Sequence, residues 1–129
     1  MSNSSTKQTI HKKKILVADD DTAILEAITL ILEDAGYDVN TTANEQTETL
    51  VQKYAPDLIL LDIWMAGMDG RVICKNLKSK KQTAHIPIIL VSANRDTKKM
   101  AIEAGADDFI EKPFEMKYLL AKAKQYTAG

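Results

Sequence analysis

The stretch DLILLDIWMAGMDG, residues 57–70, decides the fold class of this 129-residue chain. Four apolar residues run without a break up to Asp62, and a turn that contains glycine follows. An unbroken apolar run that ends in turn residues is typical of a strand buried on both faces of a parallel sheet. The carboxylate of Asp62 at the end of such a strand therefore needs an explanation.

Similar short apolar runs recur along the chain and alternate with helical patterns. Strands are predicted at 14–19, 37–43, 57–62, 86–92 and 107–112, and helices at 22–36, 45–55, 70–80, 95–106 and 114–126. Strands that alternate with helices indicate a parallel sheet with helices on both faces. Asp21 is predicted to cap the first helix, and Gly36 and Gly105 to end the first and fourth.

The polarity of the strands indicates their order in the sheet. The first, third and fourth strands are almost entirely apolar and belong in the centre, whereas the half-polar second and the short, charged fifth suit the edges. Right-handed crossovers then favour the order 2-1-3-4-5, with strands numbered along the chain. The fold class is therefore α/β: a three-layer, doubly wound, flavodoxin-like sheet.

The composition is that of one ordinary domain. A formal net charge of −1 argues against a general nucleic-acid binder, and no apolar run approaches the roughly 18 residues of a membrane span. Residues 1–13 are polar and are predicted to be a flexible tail, 14–126 the domain, and 127–129 its end. In the third helix, Val72, Ile73, Leu77 and the single cysteine, Cys74, are predicted to be buried.

Polar residues of complementary chemistry follow the strands at one edge of the predicted sheet. Asp19 and Asp20 follow the first strand, Asp62 and Ser92 end the third and fourth, and Lys112 ends the fifth. In open parallel sheets ligands bind at this edge, in the crevice between strands 1 and 3. Three clustered carboxylates repel one another, and a divalent cation removes that conflict. Oxygen ligands without His or Cys favour Mg²⁺ (or Mn²⁺) over zinc.

This arrangement predicts that Asp62 acts as a nucleophile towards phosphorus. Lys112 and the metal would neutralise charge on the transferred group, and Ser92 would hydrogen-bond one of its oxygens. Taken singly, each of these residues also fits a helix cap or an ordinary polar surface position. The prediction depends on all of them occurring together, in the right spatial order.

The segments ILVADDD (15–21), DLILLD with GMDG, IILVSA (88–93) and EKPF (111–114) resemble the receiver domain of bacterial two-component response regulators. The resemblance covers about residues 14–126. It implies that a histidine kinase or phosphotransfer protein phosphorylates Asp62 in the presence of Mg²⁺. Asp20, Asp62 and the backbone carbonyl of Trp64 are the implied metal ligands, with Asp19 assisting. Ser92 and Phe109 occupy the switch positions, and Lys112 that of the family's lysine.

Three positions depart from, or vary within, the family pattern. Ala66 stands where the family usually has proline, which we expect to loosen the loop without removing a ligand. Trp64 and Asn94 occupy positions that are expected to tune how fast water removes the phosphoryl group. The resemblance also implies a cis bond between Lys112 and Pro113, which is energetically accessible only before proline.

The resemblance implies a cytoplasmic signalling protein rather than a turnover enzyme. Its expected partners are a histidine kinase or phosphotransfer protein, and a downstream target or a missing output domain, with no direct contact to nucleic acid or membrane. Phosphorylation would change the surface of helix 4, strand 5 and helix 5, and a homodimer through this surface is an alternative to a monomer. The chain would be either a complete single-domain regulator or the first domain of a longer protein.

Two other interpretations compete with this one. Haloacid-dehalogenase-type phosphatases also use a strand-end Asp with Mg²⁺, and DDDT (19–22) and ADD (106–108) faintly resemble their motifs. In those enzymes, however, the lysine precedes the late acidic pair, whereas Lys112 follows Asp107 and Asp108. The other alternative is a receiver-like fold that binds proteins without being phosphorylated.

Overall fold

The computed structural model describes residues 12–43, 46–65 and 67–128. The predicted tail therefore lies largely outside the described residues, as do Ala66 and the predicted first residue of the second helix, Glu45. Lys12 and Lys13 are exposed and precede the first strand. The predicted strands and the predicted site residues all fall within the described part of the chain.

Five parallel strands form one sheet in the predicted order. They are β1 Lys14–Ala18, β2 Asp38–Thr42, β3 Leu58–Asp62, β4 Ile88–Ser92 and β5 Asp108–Glu111. The order across the sheet is β2-β1-β3-β4-β5, and every neighbouring pair is parallel. Every residue of β3 and β4 is buried, whereas both edge strands are partly exposed. The predicted fold class and strand order are confirmed.

Five helices connect the strands. They are α1 Thr22–Asp34, α2 Thr47–Tyr54, α3 Gly70–Lys78, α4 Thr97–Ala104 and α5 Met116–Thr127. The predicted elements all occur, with ends that differ by at most two residues because the predictions included caps and turns. Asp21 caps α1 as predicted, and Gly36 and Gly105 are left-handed after α1 and α4. No helix in the described ranges is long and apolar enough to cross a bilayer.

The helices cover the two faces of the sheet and create two hydrophobic cores. On one face, α1 and α5 pack against residues such as Ile15 and Val17 of β1. On the other, α2, α3 and α4 pack against a set that includes Leu16 and Ala18. This alternation along β1 follows from the two-residue period of a strand. Val72 is 54% exposed, so the prediction that it is buried is wrong: α3 turns Ile73, Cys74 and Leu77 inward instead.

A small antiparallel hairpin follows β3, where the sequence predicted only a loop. It consists of Trp64–Met65 and Met68–Asp69, with Trp64 opposite Asp69. The chain then returns tightly against the end of β3, because the Gly70 N–H donates to the Ile63 carbonyl at 2.7 Å. A Cβ at position 70 would lie 2.4 Å from the Asp62 carbonyl oxygen. Only glycine therefore fits where α3 begins, and this contact fixes the backbone beside Asp62.

We expect Gly70→Ala to destabilise the fold by at least about 2 kcal/mol, because the new methyl group collides with rigid backbone. Gly67→Ala is the matched control in the same loop, since position 67 has open space and costs only the strain of its φ of +72°. That strain is worth about 1–2 kcal/mol. Urea denaturation of both variants measures the difference, and a Gly70→Ala protein as stable as Gly67→Ala would contradict the account.

Candidate functional site

Three carboxylates converge at the carboxyl edge of the sheet. Asp19 and Asp20 follow β1, and Asp62 is the last residue of β3, the strand that pairs with β1. Carboxylate oxygens of the three residues all lie within 4.8 Å of one another. Asp19 and Asp62 are 3% and 5% exposed, whereas Asp20 is exposed to solvent. The predicted acidic cluster is therefore present, with two members buried and one at the rim.

The amine of Lys112 reaches this cluster from β5. Its Nζ lies 3.1 Å from Asp19 Oδ2 and 3.5 Å from Asp62 Oδ2. Lys112 directly follows β5, and its backbone N–H donates to the Ser92 carbonyl, which extends the sheet by one rung. The peptide bond to Pro113 is cis, as the resemblance implies. Lys112 therefore lies within ion-pair distance of both buried carboxylates.

The turn after β1 orients two of the acidic residues by local hydrogen bonds. The Asp21 N–H donates to Asp19 Oδ1 at 2.9 Å. Asp21 Oδ1 in turn accepts the N–H groups of Ala23 and Ile24 and so caps α1. Asp side chains commonly form such turns and caps. Of the DDD run, Asp21 therefore serves the helix, whereas Asp19 and Asp20 remain with the cluster.

The surroundings of the cluster shift the pKa values of Asp62 and Lys112. The pKa of Asp62 is raised to about 6, first because burial disfavours its charge and second because Asp19 lies beside it. Lys112 and the backbone N–H of Trp64 act in the opposite direction and limit the rise. Burial also disfavours the charge of Lys112, but the hydrogen bond to Asp19 and the charges of Asp62 and Asp19 outweigh it, so its pKa is raised.

Three further predicted site residues lie on or near the last two strands: Ser92 on β4, Asn94 just beyond β4 and Phe109 on β5. Ser92 is buried at the end of β4, and its Oγ accepts the Asn94 N–H at 3.0 Å. Asn94 is exposed, and its side chain accepts the Asp96 N–H, which shapes the turn into α4. Phe109 is half-buried on β5 and packs against the core beneath α4. The structure thus puts Ser92 on the strand beside Asp62 and Phe109 on the far edge strand.

Trp64 has a contact that sequence reasoning missed. Its indole is 49% exposed, and the guanidinium carbon of Arg71 lies 4.9 Å from the ring centroid. Arg71 also forms a salt bridge with Asp69, and the hydrogen bond from Arg71 is the main cause that lowers the pKa of Asp69. No sequence signal predicted this contact, because it requires the unpredicted hairpin. Only the closeness of Asp69 and Arg71 at the start of α3 could have suggested their pairing.

The cluster has the chemistry of a magnesium site. Its donors are carboxylate oxygens, and among the described residues the geometry groups Asp19, Asp20 and Asp62 without a His or Cys. Hard oxygen ligands suit Mg²⁺ and Mn²⁺. A divalent cation would offset both the cost of burying the Asp62 charge and the repulsion from Asp19, which together raise the pKa of Asp62. The donor set therefore fits such an ion.

Comparison with known proteins decides the family. The response regulator receiver domain family matches residues 15–124, nearly the entire described chain. This chain belongs to that family. Its curated relatives include the DNA-binding response regulator MtrA of Mycobacterium tuberculosis, 36% identical over 116 residues, and the phosphate regulon regulator PhoB of Pseudomonas aeruginosa, 40% identical over 115. These matches cover 88% and 87% of the chain.

Solved structures agree with this assignment. The chemotaxis response regulator CheY4 of Vibrio cholerae superposes with a TM-score of 0.83 at 28% identity, and the match covers 90% of this chain and 99% of that one. By contrast, the receiver domain spans about half the length of the curated relatives, 50% of both MtrA and PhoB. The likeness therefore concerns the receiver part of those proteins.

The family match decides against the dehalogenase-type phosphatase, and the structure gives the reason. The late acidic pair that such an enzyme needs does not serve the site in this receiver domain. Asp107 accepts the Ile88 N–H and pairs with Lys78, and Asp108 pairs with Lys122. Both carboxylates thus hold β5 against its neighbours.

We expect Asp62→Asn to stabilise the metal-free receiver domain at pH 7 by about 1–3 kcal/mol, since the amide has no charge to bury. The pKa of Asp62 is higher in the folded protein than the ordinary 3.8, so its ionisation costs stability as pH rises towards about 6. The gain should disappear below about pH 4, where the wild-type carboxyl is protonated.

Urea denaturation in the presence of a chelator, at several pH values, measures this effect. Glu33→Gln removes an exposed acid from α1 and should change the stability by less than about 0.5 kcal/mol. An Asp62→Asn protein that is no more stable than the wild type at pH 7 would show that Asp62 is not strained.

Proposed function

We propose that this receiver domain accepts a phosphoryl group on Asp62 from a histidine kinase or a histidine phosphotransfer protein. The observation that carries the proposal is the position of the Asp62 carboxylate: buried at the strand end, with Lys112 Nζ at 3.5 Å and two further carboxylates beside it. A structural role alone does not account for a buried carboxylate whose pKa is raised to about 6.

Asp20 and Asp62, with the Trp64 backbone carbonyl, would hold Mg²⁺ or Mn²⁺, and Asp19 would assist. When bound, this ion supplies positive charge that offsets the carboxylates and the phosphoryl oxygens. The fit of the donor set supports this assignment.

In the proposed step, one Asp62 carboxylate oxygen forms a bond to phosphorus. The bond between phosphorus and the donor's imidazole nitrogen breaks, and its electron pair stays on the nitrogen. Lys112, already beside Asp62, would neutralise one phosphoryl oxygen, and the Ser92 hydroxyl would donate a hydrogen bond to another. Lys112 would therefore exchange part of its contact with the carboxylates for contact with the phosphoryl group.

The same step offers a mechanism for signalling. Ser92 Oγ now accepts the Asn94 N–H, so a hydroxyl that turns towards a phosphoryl group would give up this bond and release the turn into α4. Phe109, half-buried beneath α4, is the aromatic residue expected to follow. New phosphate contacts would then bias an equilibrium between two forms of the α4–β5–α5 surface.

Two residues at the rim are proposed to set the lifetime of the phosphorylated form. Trp64 follows Asp62 by two residues, and Asn94 follows Ser92 by two. Both side chains are exposed, so each can influence how water approaches the acceptor.

The wider role follows from the proposed chemistry. The protein would act stoichiometrically in the cytoplasm, as a substrate of its kinase rather than as a turnover enzyme. Its changed surface would act on a target protein or on an output domain, without direct contact to nucleic acid or membrane. A phosphorylation-dependent homodimer through α4, β5 and α5 is part of the same proposal.

Incubation with acetyl phosphate and Mg²⁺ tests the central step. We expect the intact protein to gain the mass of one phosphoryl group, and hydroxylamine to remove it because the product is an acyl phosphate. Asp62→Asn should gain none, and omission of Mg²⁺ should slow the gain by at least about tenfold.

Lys112→Met is a second informative variant, because it keeps most of the length of the side chain but removes its charge. It should slow phosphorylation or uncouple it from the change around Phe109. A wild-type protein that never gains the mass, or an Asp62→Asn protein that gains it equally well, would contradict the proposal and favour a binding module that is not phosphorylated.

A further inference from the structure

Trp64, Arg71 and Asp69 form a closed set of contacts beside the acceptor strand. The Arg71 guanidinium stacks on the indole, with its central carbon 4.9 Å from the ring centroid. Its Nε donates to Asp69 Oδ1 at 3.0 Å and its Nη2 to Asp69 Oδ2 at 2.7 Å. The hairpin pairs Asp69 with Trp64, which completes the ring of contacts. We name these three side chains the Trp64 clamp.

The clamp is anchored on a rigid element. Asp69 is the N-cap residue of α3, and its Oδ1 also accepts the Arg71 backbone N–H at 2.9 Å. The helix that follows is fixed by Ile73, Cys74 and Leu77, each at most 1% exposed. A planar guanidinium held by two bonds to a carboxylate has little freedom to turn. Arg71 therefore presents a fixed face to the indole.

The clamp is linked to Asp62 through the backbone. The backbone N–H of Trp64 acts on the Asp62 carboxylate and lowers its pKa. The Gly70 N–H donates a hydrogen bond to the carbonyl of Ile63, the residue between Asp62 and Trp64. About half of the indole surface is in solvent, so the ring relies on its stack with Arg71 for a defined position. The indole of Trp64, a residue two positions after Asp62, is thus positioned by its stack with Arg71, which Asp69 holds in turn.

We propose that Arg71 and Asp69 are positioning residues that hold the Trp64 indole over the approach to Asp62 and thereby slow the loss of the phosphoryl group to water. This inference rests on the proposed phosphorylation of Asp62. In the reaction that the clamp slows, a water oxygen forms a bond to phosphorus and the bond from phosphorus to the Asp62 oxygen breaks. The carboxylate leaves with the electron pair, and the protons of the water pass to inorganic phosphate and solvent.

Dephosphorylation rates in the presence of Mg²⁺, after removal of acetyl phosphate, test the clamp. We expect Arg71→Ala to shorten the half-life about two- to fivefold, which corresponds to the ~0.5–1 kcal/mol of an exposed cation–π contact. Lys75→Ala is the matched control: it removes the same charge from an exposed position one turn further along α3. It should change the half-life by less than about twofold, since an exposed charge is screened.

A double-mutant cycle separates positioning from general destabilisation. In a Trp64→Ala background, Arg71→Ala should have no further effect, because the ring that it positions is gone. An Arg71→Ala half-life equal to the wild type, or an equal acceleration with and without Trp64, would overturn the clamp. Should Arg71→Ala fold poorly, Arg71→Lys keeps the charge but loses the planar fork, and it should still shorten the half-life.

A measurement without phosphorylation distinguishes failure of the clamp from failure of the proposed function. Trp64 is the single tryptophan of the chain, so its fluorescence reports on this site alone. Arg71→Ala should make Trp64 more accessible to quenching by acrylamide, and Lys75→Ala should not. Unchanged quenching would overturn the clamp, whereas increased quenching in a protein that takes up no phosphoryl group would overturn only the proposed function.

Discussion

The burial of adjacent carboxylates at one end of the sheet is the constraint on which the candidate site depends. Asp19 and Asp62 are almost fully buried, with Asp20 at the rim, and the first two share the amine of Lys112. Burial and the neighbouring charge raise the pKa of Asp62 to about 6. An apolar residue in place of Asp62 would pack without this cost, and this supports the proposed binding of a cation and the proposed chemistry at the carboxylate.

The fold supplies this arrangement through strand order. Because β3 lies between β1 and β4, its last residue faces the acidic turn after β1 on one side and Ser92 on the other. The hydrogen bond from the Lys112 N–H to the Ser92 carbonyl places Lys112, which follows β5, at the same end of the sheet. Gly70 then lets α3 start directly against the Asp62 backbone, so that the loop after Asp62 is held from both ends.

Much of this could be predicted from sequence, because apolar runs and their terminal polar residues mark the strands and their ends. These patterns alone predict that Asp62 and Lys112 lie at the same edge of the sheet. The hairpin was not predictable, since two-residue strands carry no periodic pattern, and with it the contact between Trp64 and Arg71 was missed. Val72 was wrongly assigned to the core because a short helix leaves the rotation of its apolar stripe ambiguous.

The most direct test of the strained cluster is the titration of the Asp62 side chain by carbon-detected NMR, without and with Mg²⁺. The account predicts a pKa of about 6 in the absence of metal and a markedly lower value when Mg²⁺ is present. A pKa near the ordinary 3.8 in the metal-free protein, or one that Mg²⁺ leaves unchanged, would contradict the claim that these carboxylates are organised to hold a cation and to react.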